Sequence, residues 1–152
     1  MTDGLSGWWV GRSIAWLCAG VLLVGVPGGC GAPEPQVGYR SWTPSYLIRA
    51  SSAPMPPFAR VRTVFKIVVI DKKSNEPMES GEGRIFAESR DGAKTWDALT
   101  RGPEVGTYYG KLSFITAGDW AVAVQFRRDS TAPLERIDWM QQVRAERDTA
   151  KP

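Results

Sequence analysis

The chain has 152 residues, with 19 Lys and Arg against 16 Asp and Glu and no histidine. That length allows one domain, and the basic excess is too small and too scattered along the chain to argue for nucleic acid. Without histidine the chain lacks the usual general base of serine and cysteine hydrolases, the commonest zinc and copper ligand, and the usual pH switch.

Met1–Gly29 reads as a signal sequence. Arg12 supplies the positive end, Ser13–Val26 an apolar core of about fourteen residues, and Pro27, Gly28 and Gly29 the small or helix-breaking residues before Cys30. The core is shorter than the roughly twenty apolar residues of a spanning helix. Val26-Pro27-Gly28-Gly29-Cys30 resembles the lipobox at which bacterial lipoproteins are cleaved and lipidated. The resemblance implies that Cys30 becomes a lipidated N-terminus, with the lipid bilayer as partner, its diacylglyceryl group supplying the two chains that stable anchoring needs. It also implies that Gly31, the residue after the cysteine, would not hold the protein at an inner membrane. The expected address is the cell envelope, at an outer membrane or the cell surface. Ordinary signal cleavage and an uncleaved anchor are the competing expectations. Cys18 would leave with the peptide and Cys30 would carry lipid, so no cysteine pair remains for a disulfide.

Residues 31–45 hold three prolines and little alternation and read as an extended tether, with Trp42 its one large side chain. Tyr46–Ala50 reads as a short strand, and the prolines of Ala53–Pro57 interrupt regular pairing because proline lacks the N–H a ladder needs. Arg60–Asp71 is the strongest strand: Val61, Thr63, Phe65, Ile67 and Val69 share one face, and the strand should be central. Asp71–Gly83 is a polar loop, followed by a strand near Arg84–Ser89. Ser89–Trp96 (SRDGAKTW) resembles the Asp-box hairpin of sialidases and many unrelated β folds. That resemblance implies that Asp91 accepts bonds from turn amides, Gly92 takes the unusual backbone angles, and Trp96 packs beneath the turn. A single copy in a short chain reads as a structural hairpin and not as a glycosidase signature. Thr100–Thr107 reads as a loop.

Gly106–Phe126 is two strands joined by a tight corner. Tyr108, Leu112 and Phe114 share one parity before the corner, and Trp120, Val122, Val124 and Phe126 share one after it, which is the period of a half-buried strand. The Gly-x-Tyr opening, the Ala117-Gly118-Asp119-Trp120 corner and the loop Asp71–Met78 resemble the YtkA-like and FixH-like domains of bacterial envelope proteins, over about Tyr46–Arg128. That resemblance implies an all-β, immunoglobulin-like β-sandwich of about seven strands, with Tyr108, Gly118, Asp119 and Trp120 as structural residues. It implies action by binding, to a partner in the envelope. Beyond Arg128, Pro133 followed by Leu134, Ile137, Met140 and Val143 fits a short amphipathic C-terminal helix within residues 129–152, with an edge strand over Ile137–Met140 as the runner-up. Asp148–Pro152 is expected to fray.

Catalysis has little to work with. The carboxylates Glu76, Glu79 and Glu82 lie on a polar loop where nothing apolar would raise a pKa. The FixH-like resemblance implies copper or oxidase-assembly biology, for which Met55 and Met78 are weak soft-ligand candidates without cluster spacing, so no metal and no cofactor is expected. A non-catalytic binding or accessory module of the envelope is the leading expectation, with a copper-handling accessory protein and a passive structural lipoprotein as alternatives. A contiguous exposed patch involving Trp42, Trp139 or Tyr109 would favour a partner site, and their burial would favour packing.

Overall fold

In a computed structural model of the chain, residues 38–146 are described. The signal sequence, Cys30 and residues 31–37 of the tether lie outside these residues, as does the tail expected to fray. Among the described residues nine strands run in chain order: β1 (Tyr39–Trp42), β2 (Tyr46–Ala53), β3 (Arg62–Asp71), β4 (Glu82–Ser89), β5 (Lys94–Ala98), β6 (Thr100–Arg101), β7 (Thr107–Ser113), β8 (Gly118–Arg127) and β9 (Glu135–Val143). They form two antiparallel sheets, ordered β1-β2-β3-β7-β6 and β5-β4-β8-β9. The order β2-β3-β7-β6 against β4-β8-β9 is that of the immunoglobulin-like sandwich, with β5 added to one sheet and β1 to the other. The chain changes sheet between β5 and β6 across Leu99 alone, whose amide donates to the Gly83 carbonyl at 2.9 Å.

The period-two patterns become the core. In β3, Thr63, Phe65, Ile67 and Val69 are buried and their neighbours half-exposed, and β3 lies in the middle of its sheet. Tyr108, Leu112 and Phe114 point at Trp120, Val122, Val124 and Phe126 from the opposite sheet, all essentially without solvent contact. The Phe126 ring meets Tyr108 at 5.0 Å and Tyr46 at 5.3 Å, and the Phe114 ring meets Trp120 at 5.2 Å, all edge-on.

The expected C-terminal helix is a strand. Leu134, Ile137, Met140 and Val143 recur every three residues, but burial over β9 follows Glu135, Ile137 and Val143, with Trp139 and Gln141 half-buried between them, a period of two. The cause is tertiary: β8 presents an open edge, and β9 pairs with it from Gly118↔Val143 to Phe126↔Glu135. A helix would leave that edge unpaired. Glu135, in this strand, is buried. Its carboxylate accepts the Ser45 amide at 3.0 Å. Burial alone would raise its pKa, but hydrogen bonds from Ser45 and Thr43, with Lys72 nearby, hold it below the ordinary value.

The expected tether also contributes structure. Tyr39–Trp42 alternates in and out and pairs with β2 from Tyr39↔Ala50 to Trp42↔Leu47. Tyr39 stacks on Trp139 at 4.9 Å and donates its hydroxyl to the Asp138 carbonyl at 2.8 Å, closing the sandwich edge between β1 and β9. The sandwich therefore begins before Tyr46 and ends beyond Arg128.

Trp120 and Trp96 separate the two environments. Trp120→Ala should lower unfolding stability by about 3–5 kcal/mol, the usual cost of truncating a large buried aromatic. Trp96→Ala should stay within about 0.5 kcal/mol. Chemical denaturation of both variants checks this, and an unchanged midpoint for Trp120→Ala would contradict the core assignment.

Candidate binding surface

Of the corner residues singled out from sequence, Tyr108 and Trp120 are buried and hydrogen-bonded. Tyr108 is buried and donates its hydroxyl to the Met78 carbonyl at 3.2 Å, tying β7 to the loop before β4. Burial pushes its phenol pKa up. Trp120 is buried with its indole N–H donated to the Thr116 carbonyl at 3.0 Å, which pins the corner. Gly118 has a φ of +125°, which favours glycine, and Asp119 is exposed.

The Asp-box-like segment is the β4–β5 hairpin, and Gly92 takes its expected positive φ of +82°. Two details differ from expectation. The Gly92 amide donates to the Ser89 carbonyl and the Ala93 amide to the Ser89 hydroxyl, at 3.0 and 3.1 Å, so Ser89 does the work expected of the exposed Asp91. Trp96 does not pack beneath the turn but is 71% exposed. The register explains it: Trp96 pairs with Phe86, whose neighbours Ile85 and Ala87 face the core, so this pair must face outward.

Pairing extends that row across the sheet. Trp96, Phe86, Ala123 and Asp138 lie side by side on the outer face, and the next row is Lys94, Glu88, Ala121 and Met140. Met140, 66% exposed, is not the internal packing residue of a helix. On β8 this face carries alanines, Ala121 exposed and Ala123 buried, between Trp96 on one edge strand and Met140 on the other. The guanidinium groups of Arg84 and Arg136 lie 5.5 and 5.0 Å from the Phe86 ring. Asp138 holds Arg136 through a forked pair, its oxygens 2.9 and 3.0 Å from Nε, which raises the arginine pKa. A shallow cleft of about 260 Å³ runs along Phe86 and Trp96, with Arg84, Glu88, Lys94 and Thr95 at its sides.

The aromatics singled out from sequence do not form one patch. Trp139 is half-buried against Tyr39, Tyr109 is half-buried on the other sheet, and Trp42 is exposed on the outer edge of that other sheet. The two methionines considered as metal ligands lie toward opposite ends of β3. Met78 donates its amide to Val69, whereas Met55 follows Ala53, which pairs with Val64. Met78 is buried and Met55 half-exposed in its proline-rich loop. Among the described residues no three His, Cys, Asp or Glu side chains cluster as a metal site.

The phenylalanine and alanines of this face carried little sequence signal. One was available: in Arg84–Ser89 both Ile85 and Phe86 are large and apolar, and adjacent strand residues cannot both face one core.

The comparisons with known proteins address the fold alone. No protein-family model matches the chain, and no curated protein sequence matches it. The structure is similar to the crystal structure of a DUF4426 family protein from Pseudomonas aeruginosa, with a TM-score of 0.55 and 10% identity, over 71% of this chain and 98% of that one.

At the foot of the sandwich, Asp71 organises the loop after β3. Its carboxylate accepts the Lys73 and Ser74 amides at 2.7 and 3.2 Å and pairs with Arg128, which together hold its pKa below the ordinary value, the two amides contributing most. A depressed folded pKa adds stability that is present above the unfolded value of about 3.9 and is lost as pH falls through the folded one. Asp71→Asn should therefore be less stable than the parent at neutral pH, and the difference should shrink as pH falls below about 4. Denaturant melts across that range check it; a constant difference would contradict the assignment.

Proposed function

We propose that the protein is an exported, lipid-anchored binding module of the bacterial envelope. In this reading Cys30 carries the lipid and the outer face of β5-β4-β8-β9 meets a protein partner. The observation that carries the partner reading is the outward placement of Trp96, Phe86 and Met140 on one sheet face, with exposed Ala121 between them and Arg84, Arg136, Glu88 and Lys94 around them. An aromatic anchor, a methionine and stacked arginines, with charges at the rim, have the composition of a protein-binding hot spot. Trp96 is not needed to hold the hairpin turn, which is tied by Ser89 and not by the indole.

The envelope address rests on the Arg12, Ser13–Val26 and Gly28-Gly29-Cys30 pattern, together with the YtkA-like and FixH-like resemblance of the Gly118-Asp119-Trp120 corner. Binding fits the chemistry better than catalysis: the acids of this face are open to solvent and sit beside arginine or lysine, as in Arg136–Asp138 and Lys94–Glu88, and not in an apolar pocket.

Two measurements test the reading separately. Cys30→Ala should abolish acyl labelling and leave a precursor uncleaved at that site, and unchanged mature mass and fractionation would overturn the anchor. For the partner, a photo-crosslinking residue at Trp96 or Met140 should trap one envelope protein in cells, while one at Lys73 should not. Trapping equally from all three positions, or from none, would overturn the binding face.

A further inference from the structure

The second outer face has a different chemistry. Along β1, β2, β3 and β7 the inward residues include Ile48, Ala50, Phe65, Ile67 and Leu112, so the alternate positions face out. Arg40, Arg49, Arg62, Lys66 and Lys111 occupy those alternate positions, so folding gathers onto one sheet face basic residues that are scattered along the chain. Glu104 answers Lys66 at 2.7 Å. Among the described residues, Arg40, Arg49, Arg62 and Lys111 form no ion pair.

Arg40 and Arg49 are direct cross-strand partners. Like charges directly opposite each other destabilise a sheet, and here no carboxylate of the described chain relieves them. Arg49 Nε is moreover shielded from water with no hydrogen-bond acceptor. Beside this pair, on the same face, Trp42 sits opposite Leu47, and Leu47 opposite Ile70. The indole is 59% exposed, with the Arg40 guanidinium 4.9 Å from its ring centre. An opposed arginine pair next to an exposed tryptophan is matched to a surface that offers anionic oxygens and, just beneath them, apolar material.

We propose that this face docks on the anionic head groups of a lipid bilayer, with phosphate oxygens lying between Arg40 and Arg49 and Trp42 entering the interface. Nucleic acid or an acidic protein would satisfy the charges, but the bilayer also accounts for the exposed indole of Trp42, which lies over buried Leu47 with half-buried Ile70 beyond it, since tryptophan is favoured at membrane–water interfaces. The inference takes from the proposed function only that a bilayer is nearby. Residues 31–38 separate Cys30 from β1 and reach at most about 29 Å when extended, so a membrane-held Cys30 keeps β1 within range. Docking by this face would leave Trp96 and Met140, on the opposite sheet, turned away from the membrane.

The test uses the full chain, held through its N-terminal apolar segment in lipid nanodiscs of phosphatidylcholine alone or of an equal mixture with phosphatidylglycerol. This arrangement does not depend on acylation of Cys30, so failure of the lipoprotein reading and failure of docking are distinguishable. Hydrogen exchange of Tyr39–Trp42 and Tyr46–Ala53 should slow by at least about fivefold in the mixed discs, the effect of roughly one basic residue near an anionic surface, and the protection should vanish in high salt. Arg40→Ser with Arg49→Ser should lose the protection while its melting temperature holds or rises, because the opposed charges are gone. If that variant fails to fold, Arg62→Ser with Lys111→Ser, both at exposed positions, serves in its place. Equal exchange in the two discs would overturn the proposal. So would equal protection by single-stranded DNA or polyphosphate in phosphatidylcholine discs, which would mark the face as a reader of polyanions in solution.

Discussion

Face-to-face burial of two sheets is the constraint on which everything else in the described chain depends. Both cysteines precede Gly38, so no disulfide can staple the sandwich, and the inner faces must supply the cohesion. They do so with aromatics at both ends, Tyr46, Tyr108 and Phe126 at one and Phe65, Phe114 and Trp120 at the other. Each such side chain contributes about 1.5–3 kcal/mol by leaving water. The sheets approach so closely at Gly110 that a Cβ there would come within 2.5 Å of Ile85 Cγ2, which is why the inward parity of β7 passes through a glycine. At the edge, the Tyr39 hydroxyl bonded to the Asp138 carbonyl joins the two sheets.

Because the inner faces are consumed by cohesion, the outer faces are what the sheets present to solvent, and these are not equivalent. The face of β5-β4-β8-β9 balances charge, with Arg136 against Asp138 and Lys94 against Glu88, around an apolar centre. The face of β1-β2-β3-β7 is basic, with the exposed indole of Trp42 at its edge. A sandwich with one balanced face and one basic face has a built-in polarity, suited to sitting between a charged surface and a partner on the far side. That polarity links the two proposals, although each rests on its own residues.

Legibility varied with how local the physics was. The parity of Arg60–Asp71 and of Tyr108–Phe126 could be read because alternation is a property of neighbouring residues, and the burial of Trp120 followed from the same count. Gly92 was readable because a turn needs a positive φ whatever surrounds it. Trp96 misled because its motif implies a turn-packing role, whereas its side is set by the pairing of Phe86 with the rest of the sheet. The helix expected over Leu134–Val143 misled because spacing by three is also what a mixed strand face produces when its neighbours are ignored.

The sequence by itself determined the class of the domain and its core faces, because period and aromatic placement are written residue by residue. Only the tertiary structure decided that Glu135–Val143 pairs with β8, that Tyr39–Trp42 adds an edge strand, and that Trp96 meets solvent. It also decided that Arg40 lies opposite Arg49, separated by nine positions along the chain. The physical reason is the same in each case: hydrogen bonding between strands is satisfied by whichever edge is open, and which side chains become neighbours is fixed by that pairing and not by distance along the chain.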